Sequence, residues 1–170
     1  MAYVPDKLLT VDFLRALPKT DLHVHLDGSL RLSTLIELAQ EYHVDLPSYT
    51  EAGLRELVFK ERYNDLGEYL SGFGYMCGVL QAESALERVG YEFAQDNQAE
   101  GVRYVEVRFA PQLHVHRYLN PISVLKAVDR GLRRARDEFN RRPEVASGQE
   151  PPFDYGIIVC AMRMFREGFS

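Results

Sequence analysis

The amino-acid sequence predicts an α/β fold in which helical crossovers connect the strands of a parallel sheet. Three short segments have the character of strands, at residues 20–26, 102–109 and 155–161. Stretches with helical periodicity separate them, and strands that alternate with helices are typical of parallel sheets. The third segment is apolar at nearly every position, which fits a strand covered on both faces.

The first strand carries polar chemistry on one side. Its period of two predicts two faces, Leu22, Val24 and Leu26 on one and Asp21, His23 and His25 on the other. Alternate side chains lie about 6 to 7 Å apart on the same side of a strand, so two imidazoles can converge on one metal ion. Two hydrogen-bonded core histidines are the alternative. A zinc site also needs a third or fourth protein ligand that this pair does not supply.

Asp27 follows the first strand directly, where loops of parallel α/β proteins bind ligands. A carboxylate at that place can accept a hydrogen bond from a substrate hydroxyl group. It can equally be a turn aspartate that precedes Gly28, and the pattern leaves both interpretations open.

Helical periodicity predicts the elements between the strands. They are a helix over 32–43, short helices within 50–77, a helix that ends near residue 101, and a helix from the Asn120-Pro121 cap to residue 139. Three prolines within 140–152 predict a loop. Residues 50–77 contain a group of apolar side chains that is either ordinary core or a lid over a planar base. The group includes Leu66, Tyr69, Leu70 and Phe73.

Several further residues have a structural interpretation. The second His-x-His pair, His114 and His116, lies in a loop and is expected at the surface. Glu106 and Arg108 share a strand face and are expected to form an ion pair on it. The two cysteines, at positions 77 and 160, lie in apolar runs and are expected to be free core thiols.

Composition excludes several classes of function. The chain has 20 basic and 25 acidic residues, a net charge of −5, which argues against a dedicated nucleic-acid binder. No apolar run approaches the ~18 to 20 residues of a membrane span, and the start lacks a signal-peptide core, so a cytoplasmic protein is expected. Neither a phosphate-binding loop nor a Gly-x-Ser-x-Gly elbow is present.

Residues 17–30, Leu-Pro-Lys-Thr-Asp-Leu-His-Val-His-Leu-Asp-Gly-Ser-Leu, resemble the N-terminal signature of the adenosine deaminase family, which belongs to the metal-dependent amidohydrolases. The resemblance continues in the same order through residues 65–73, 101–111 and 156–163. One departure is Met164, where family members often carry a histidine, and it leaves the fine substrate preference open.

The resemblance implies a (β/α)₈ TIM barrel of the metal-dependent hydrolase type, of which this chain holds only the first strands and helices. It implies one Zn²⁺ ion per site, with His23 and His25 as its first two ligands. His25 and Asp27 would contact the substrate, the latter at the ribose 5′-hydroxyl. Residues 50–77 would form a helical lid whose apolar gate over the purine consists of Leu66, Tyr69, Leu70 and Phe73.

The activity that the resemblance implies is zinc-dependent hydrolytic deamination of adenosine or 2′-deoxyadenosine to inosine and ammonia. The third zinc histidine and the catalytic residues of the family lie on later strands, so they are expected beyond Ser170. Residues 1–170 are then the N-terminal portion of a single barrel domain, inactive and unstable alone. The remainder of the barrel is expected as a continuation of this chain or as a second chain.

Three other functions stay open at this point. Adenine or another modified purine nucleoside can be the substrate, although Asp27 favours one that carries ribose. Metal phosphoesterases of the PHP or TatD type also have His-x-His on their first strand, but Leu26-Asp27-Gly28-Ser29 favours the deaminase. A non-catalytic protein that binds nucleosides is the third.

Overall fold

A computed structural model describes residues 10–162 of the chain. Three strands and seven α-helices follow one another in the order that the periodicity predicts, with two unpredicted short helices, one before the first strand and one before the third. The elements are α1 (Val11–Ala16), β1 (Lys19–His25), α2 (Leu32–Tyr42), α3 (Glu51–Leu57), α4 (Leu66–Val79), α5 (Glu83–Ala99), β2 (Val102–Phe109), α6 (Pro121–Asn140), α7 (Pro143–Ala146) and β3 (Asp154–Val159).

The three strands form one parallel sheet in the order β1-β2-β3. The central strand separates two environments. Val105, Val107 and Phe109 of β2 are fully buried on the side covered by α5 and α6, whereas Tyr104, Glu106 and Arg108 on the other side are only half-buried. The predicted parallel sheet with helical crossovers is therefore confirmed, and its polar face is the inner one.

Local signals in the sequence explain where the main elements begin. The Asn120 side chain accepts hydrogen bonds from the backbone N–H groups of Ile122 and Ser123, and Pro121 occupies the first helical position of α6. Gly101 adopts a φ of +84° immediately before β2, and a Cβ atom there would lie 2.7 Å from the Arg15 carbonyl oxygen. Only glycine fits this turn.

The strict alternation predicted for β1 is wrong. Asp21 lies opposite Val105 and Val24 lies opposite Val107, so three steps along β1 match two along β2, which is a β-bulge. As a result Asp21 lines a cleft on the helix side together with Val24, and Leu22 is exposed. A pattern of period two assumes a ladder without insertions, which this strand does not have.

Two further expectations need correction. The predicted loop at 140–152 contains α7, a single turn that starts at Pro143, whose fixed φ suits the first helical position. The third strand is not covered on both faces as predicted, because none of its residues is buried; Val159, on the same face as its register partner Phe109, is 55% exposed. Within the part of the chain that the structure describes, no helix is long and apolar enough to cross a membrane.

Candidate active site

The carboxyl ends of the three strands meet at one edge of the sheet, and a cavity of about 640 Å³ opens there. Parallel α/β proteins bind their ligands at this edge. The cavity is largely apolar, and its charged or titratable lining at the end of β1 consists of His25 and Asp27. It is lined by His25, Asp27, Tyr69, Leu70, Phe73, Gly74, Cys77, Phe109, Ala110, Leu113, Cys160 and Met162.

His23 and His25 project from the end of β1 with their rings next to each other. The ring centroids are 5.7 Å apart and the planes are tilted by 43°. At this separation a nitrogen atom of each ring can reach one ion at the usual Zn–N distance of about 2.1 Å. Within residues 10–162 no third histidine, cysteine or carboxylate completes a group of metal ligands. Among the described residues, His23 and His25 are thus two neighbouring side chains that could bind one metal ion.

Asp27 is a buried carboxylate that lines the cavity, only 5% exposed. Its Oδ1 atom makes no hydrogen bond to a described residue and lies 3.8 Å from Nδ1 of His25. Burial raises the pKa of Asp27, and the neighbouring His25 opposes that change. An unpaired carboxylate oxygen in an apolar cavity is an acceptor that a ligand hydroxyl group can satisfy.

Helix α4 forms one wall of the cavity, with Tyr69, Leu70 and Phe73 facing it. The Tyr69 and Phe73 rings make an edge-to-face contact at 5.7 Å. The Asp65 carboxylate caps the helix by accepting from the Glu68 N–H at 2.8 Å. Leu66 does not line the cavity; it is the first residue of the helix and 69% exposed.

Both thiols line the cavity, which the sequence interpretation missed. Cys77 and Cys160 are free and half-buried rather than ordinary core. Burial, helped by the nearby carboxylate of Asp27, raises the pKa of Cys77 to about 11. The helical stripe from Tyr69 and Phe73 continues at a spacing of four residues to Cys77, and that spacing was the available signal.

The second His-x-His pair differs from the expectation. His116 is exposed, as predicted, but His114 is fully buried next to the Phe109 ring, at 6.2 Å between centroids. Neither ring nitrogen of His114 makes a well-formed hydrogen bond to a described residue, and only the backbone of Leu80 opposes the effect of burial on its pKa. Burial lowers its pKa to about 4, which keeps the ring neutral at pH 7.

The expected ion pair between Glu106 and Arg108 does not form. The Glu106 carboxylate accepts from the Tyr104 hydroxyl group at 3.2 Å, and Arg108 Nη2 donates to the Leu22 carbonyl oxygen at 2.9 Å. The bulge in β1 brings that carbonyl group within reach of the guanidinium. Met164, which marked the departure from the family pattern, lies outside the described residues.

Sequence comparisons give this geometry a family context. The model of the family described as Adenosine deaminase matches residues 18–169. A probable adenosine deaminase of Dictyostelium discoideum is 42% identical over 159 residues, 93% of this chain and 19% of that protein. An adenosine deaminase of Vibrio atlanticus is 42% identical over 130 residues, 76% of this chain and 39% of that protein. The chain thus spans well under half the length of these relatives.

Solved structures share the fold. Arabidopsis ADAL in complex with GMP aligns with a TM-score of 0.66 at 26% identity, over 90% of this chain and 43% of that one. An amidohydrolase of Burkholderia ambifaria with bound zinc aligns with a TM-score of 0.64 over 97% of this chain and 50% of that one. Its 20% identity supports the fold alone. The predicted barrel of the metal-dependent hydrolase type, represented here by its first strands and helices, is confirmed.

Proposed function

The chain belongs to the adenosine deaminase family, and from this premise we propose that it forms the first part of a zinc-dependent purine nucleoside deaminase site. The reaction is hydrolytic deamination of adenosine or 2′-deoxyadenosine to inosine and ammonia. One observation carries the proposal: His25 and Asp27 stand at the polar end of an otherwise apolar cavity, with the His23 ring beside them.

The cavity suits a purine nucleoside. Tyr69, Leu70 and Phe73 present apolar and aromatic surface to a planar base. Asp27 offers its unpaired oxygen to a sugar hydroxyl group, which a free base lacks. Leu66, at the exposed start of the same helix, can join this wall only if α4 moves inward over the bound base.

His23 and His25 would hold the zinc ion, because two neighbouring imidazoles fit two of the three or four protein ligands that zinc takes. A bound zinc ion supplies a nucleophile at neutral pH by lowering the pKa of a coordinated water to about 7. His23 and His25 would position the ion at the end of β1, and the apolar wall would exclude bulk water from the base.

The proposal assigns no catalytic acid to this chain. Deamination requires a carboxylic acid that protonates ring N1, and Asp27 is the only carboxylate among the described lining residues. Because Asp27 is assigned to the sugar, we propose that the acid and the remaining metal ligands come from the remainder of the barrel. That remainder is a continuation of this chain or a second chain.

The charge of the cavity favours a nucleoside over a nucleotide. ADAL of Arabidopsis is described in complex with GMP and with IMP. In this chain none of the described lining residues is lysine or arginine, and the one charged carboxylate, Asp27, would repel a phosphate group. The same absence disfavours a phosphoester as substrate.

Titration calorimetry of the zinc-supplemented chain with adenosine, inosine, adenine and p-nitrophenyl phosphate tests the site. We expect the two nucleosides to bind and the phosphoester not to bind. Asp27→Ala should weaken adenosine binding and leave the weak binding of adenine unchanged, while His116→Ala serves as an exposed control. Equal affinity for adenosine and adenine would favour the free base, and phosphoester hydrolysis would favour the phosphoesterase.

Activity is tested by mixing the chain with the portion of the Vibrio atlanticus relative that lies beyond the matched region. We expect ammonia release from adenosine only in the mixture, and its loss on adding a chelator or on His25→Ala. Nucleoside binding by the mixture without ammonia release would support a non-catalytic binding protein instead.

A further inference from the structure

The bulge in β1 leaves one peptide group outside the regular ladder. Leu22 and His23 lie between the register pairs of Asp21 and Val24, and neither has a partner residue on β2. The carbonyl group of Leu22 and the N–H group of His23 belong to the same peptide bond. A peptide freed from a sheet must find other hydrogen-bond partners or lose stability.

Charged side chains satisfy both ends of this peptide. Asp21 Oδ1 accepts from the His23 N–H group at 3.1 Å, and Arg108 Nη2 donates to the Leu22 carbonyl oxygen at 2.9 Å. Hydrogen bonds to ionised groups are roughly twice as strong as neutral ones. The two bonds fix the plane of the peptide from which the His23 side chain emerges.

Arg108 also lies next to His25 in the sheet. His25 is the register partner of Arg108, so one residue of β2 stands beside His25 and holds the peptide that precedes His23. Glu106, on the same face of β2, contacts the Tyr104 hydroxyl group instead and takes no part in this arrangement.

We propose that Asp21 and Arg108 are positioning residues that clamp the Leu22–His23 peptide and thereby hold the His23 imidazole at the angle at which it converges with His25 on one metal ion. The proposal rests on the proposed function for the identity of the metal site. It assigns Asp21 a role on the backbone, and not the place on the histidine face that alternation predicts.

The test measures zinc affinity and amide exchange in the full chain. Zinc titrations followed by the imidazole NMR signals of His23 and His25 compare the unaltered chain with Asp21→Ala, Arg108→Met and the conservative Asp21→Asn. We expect the first two variants to bind zinc about tenfold more weakly, as loss of groups that orient metal ligands usually does. Asp21→Asn keeps an oxygen acceptor and should recover most of the affinity. Glu106→Gln is the matched control.

Hydrogen exchange of the His23 amide supplies a readout that needs no metal. Asp21→Ala should lose protection at this amide, whereas Asp21→Asn and Glu106→Gln should keep it.

The clamp is overturned if Asp21→Ala and Arg108→Met bind zinc as tightly as the unaltered chain, or if the His23 amide exchanges equally in all variants. A chain that keeps the exchange pattern but binds no zinc would refute the proposed function and leave the clamp standing. If Arg108→Met fails to fold, the two Asp21 variants decide alone.

Discussion

His114 is a buried imidazole that makes the stability of the fold depend on pH in acid. Its pKa is about 4 in the folded chain, below the ordinary value of 6.5, because burial disfavours the charged ring. The unfolded chain therefore takes up the proton first as the pH falls. Stability is complete above about pH 6.5 and decreases from there down to about pH 4, by at most about 3 kcal/mol.

We expect His114→Leu to remove most of that acid sensitivity, and His116→Gln, an exposed neighbour, to leave it unchanged. Urea unfolding at a series of pH values between 4 and 7 measures the effect. An unaltered slope in His114→Leu would show that another group causes the acid sensitivity.

Cys77 should react slowly with electrophiles although it lines the cavity. With a pKa of about 11 its thiolate fraction at pH 8 is about 10⁻³, so alkylation should be about two orders of magnitude slower than that of a free thiol. Asp27→Asn removes a charge that contributes to this pKa and should accelerate the reaction. Mass spectrometry of iodoacetamide labelling in a Cys160→Ser background measures it, and labelling at the free-thiol rate would contradict the expectation.

At the level of single residues, the sequence spacing located the polar end of the cavity but did not predict the burial of every side chain. His25 and Asp27 follow from the period of β1 and its end. The burial of His114 could not be predicted, because a loop has no periodicity and the Phe109 ring reaches it only through the tertiary fold. Leu66 shares the helical spacing of Tyr69 but not its surroundings, since the first turn of α4 extends beyond the cavity.

At the level of elements, the contact between α5 and α6 depends on a backbone approach that only glycine permits. A Cβ atom at Gly131 would lie 2.0 Å from the Glu87 carbonyl oxygen and 2.7 Å from the Tyr91 nitrogen. We expect Gly131→Ala to lower the free energy of unfolding by about 3 kcal/mol, the upper end of the range for overpacking, because rigid backbone must move.

Gly74 provides the control for that prediction. It lies inside α4, where nothing is within 4 Å of an added Cβ atom, so Gly74→Ala should gain up to about 1 kcal/mol of helix propensity. Denaturant titrations of both variants, followed by circular dichroism, check the difference. Equal midpoints would mean that α5 and α6 can separate without cost.

Element boundaries were predictable where local chemistry sets them. The bounds of β2 agree with the prediction because Gly101 supplies a left-handed turn before it, and α6 begins at its predicted proline. The bulge in β1 was not predictable, because one of the two side chains that bind its peptide, Arg108, belongs to another strand, and only Asp21 is local. Local pattern therefore placed His23 and His25 next to each other on one strand but did not predict the contacts of the Leu22–His23 peptide.

At the level of the whole molecule, the described residues form an open sheet. Within 10–162 both β1 and β3 pair only with β2, so each has one free edge, whereas a closed barrel of this kind has eight strands and no edge. The parallel order followed from the alternation of elements. The exposure of the inner face could not be predicted, because a sequence pattern shows which face is apolar and does not show what covers the other face.

The free edge of β3 should govern both the self-association of this chain and its pairing with the complementary portion of a relative. Backbone groups on an open edge can pair with another strand, and a lysine there opposes such pairing. Val159, 55% exposed at the end of β3, is the place to introduce it. We expect Val159→Lys to reduce the concentration-dependent self-association of the chain in sedimentation velocity, and to lower ammonia release when the complementary portion of the relative is added.

Ile122→Lys, at a residue 64% exposed on α6 and away from the sheet edge, should change neither quantity. Reduced self-association with unimpaired ammonia release would mean that the remaining strands do not join the barrel at β3.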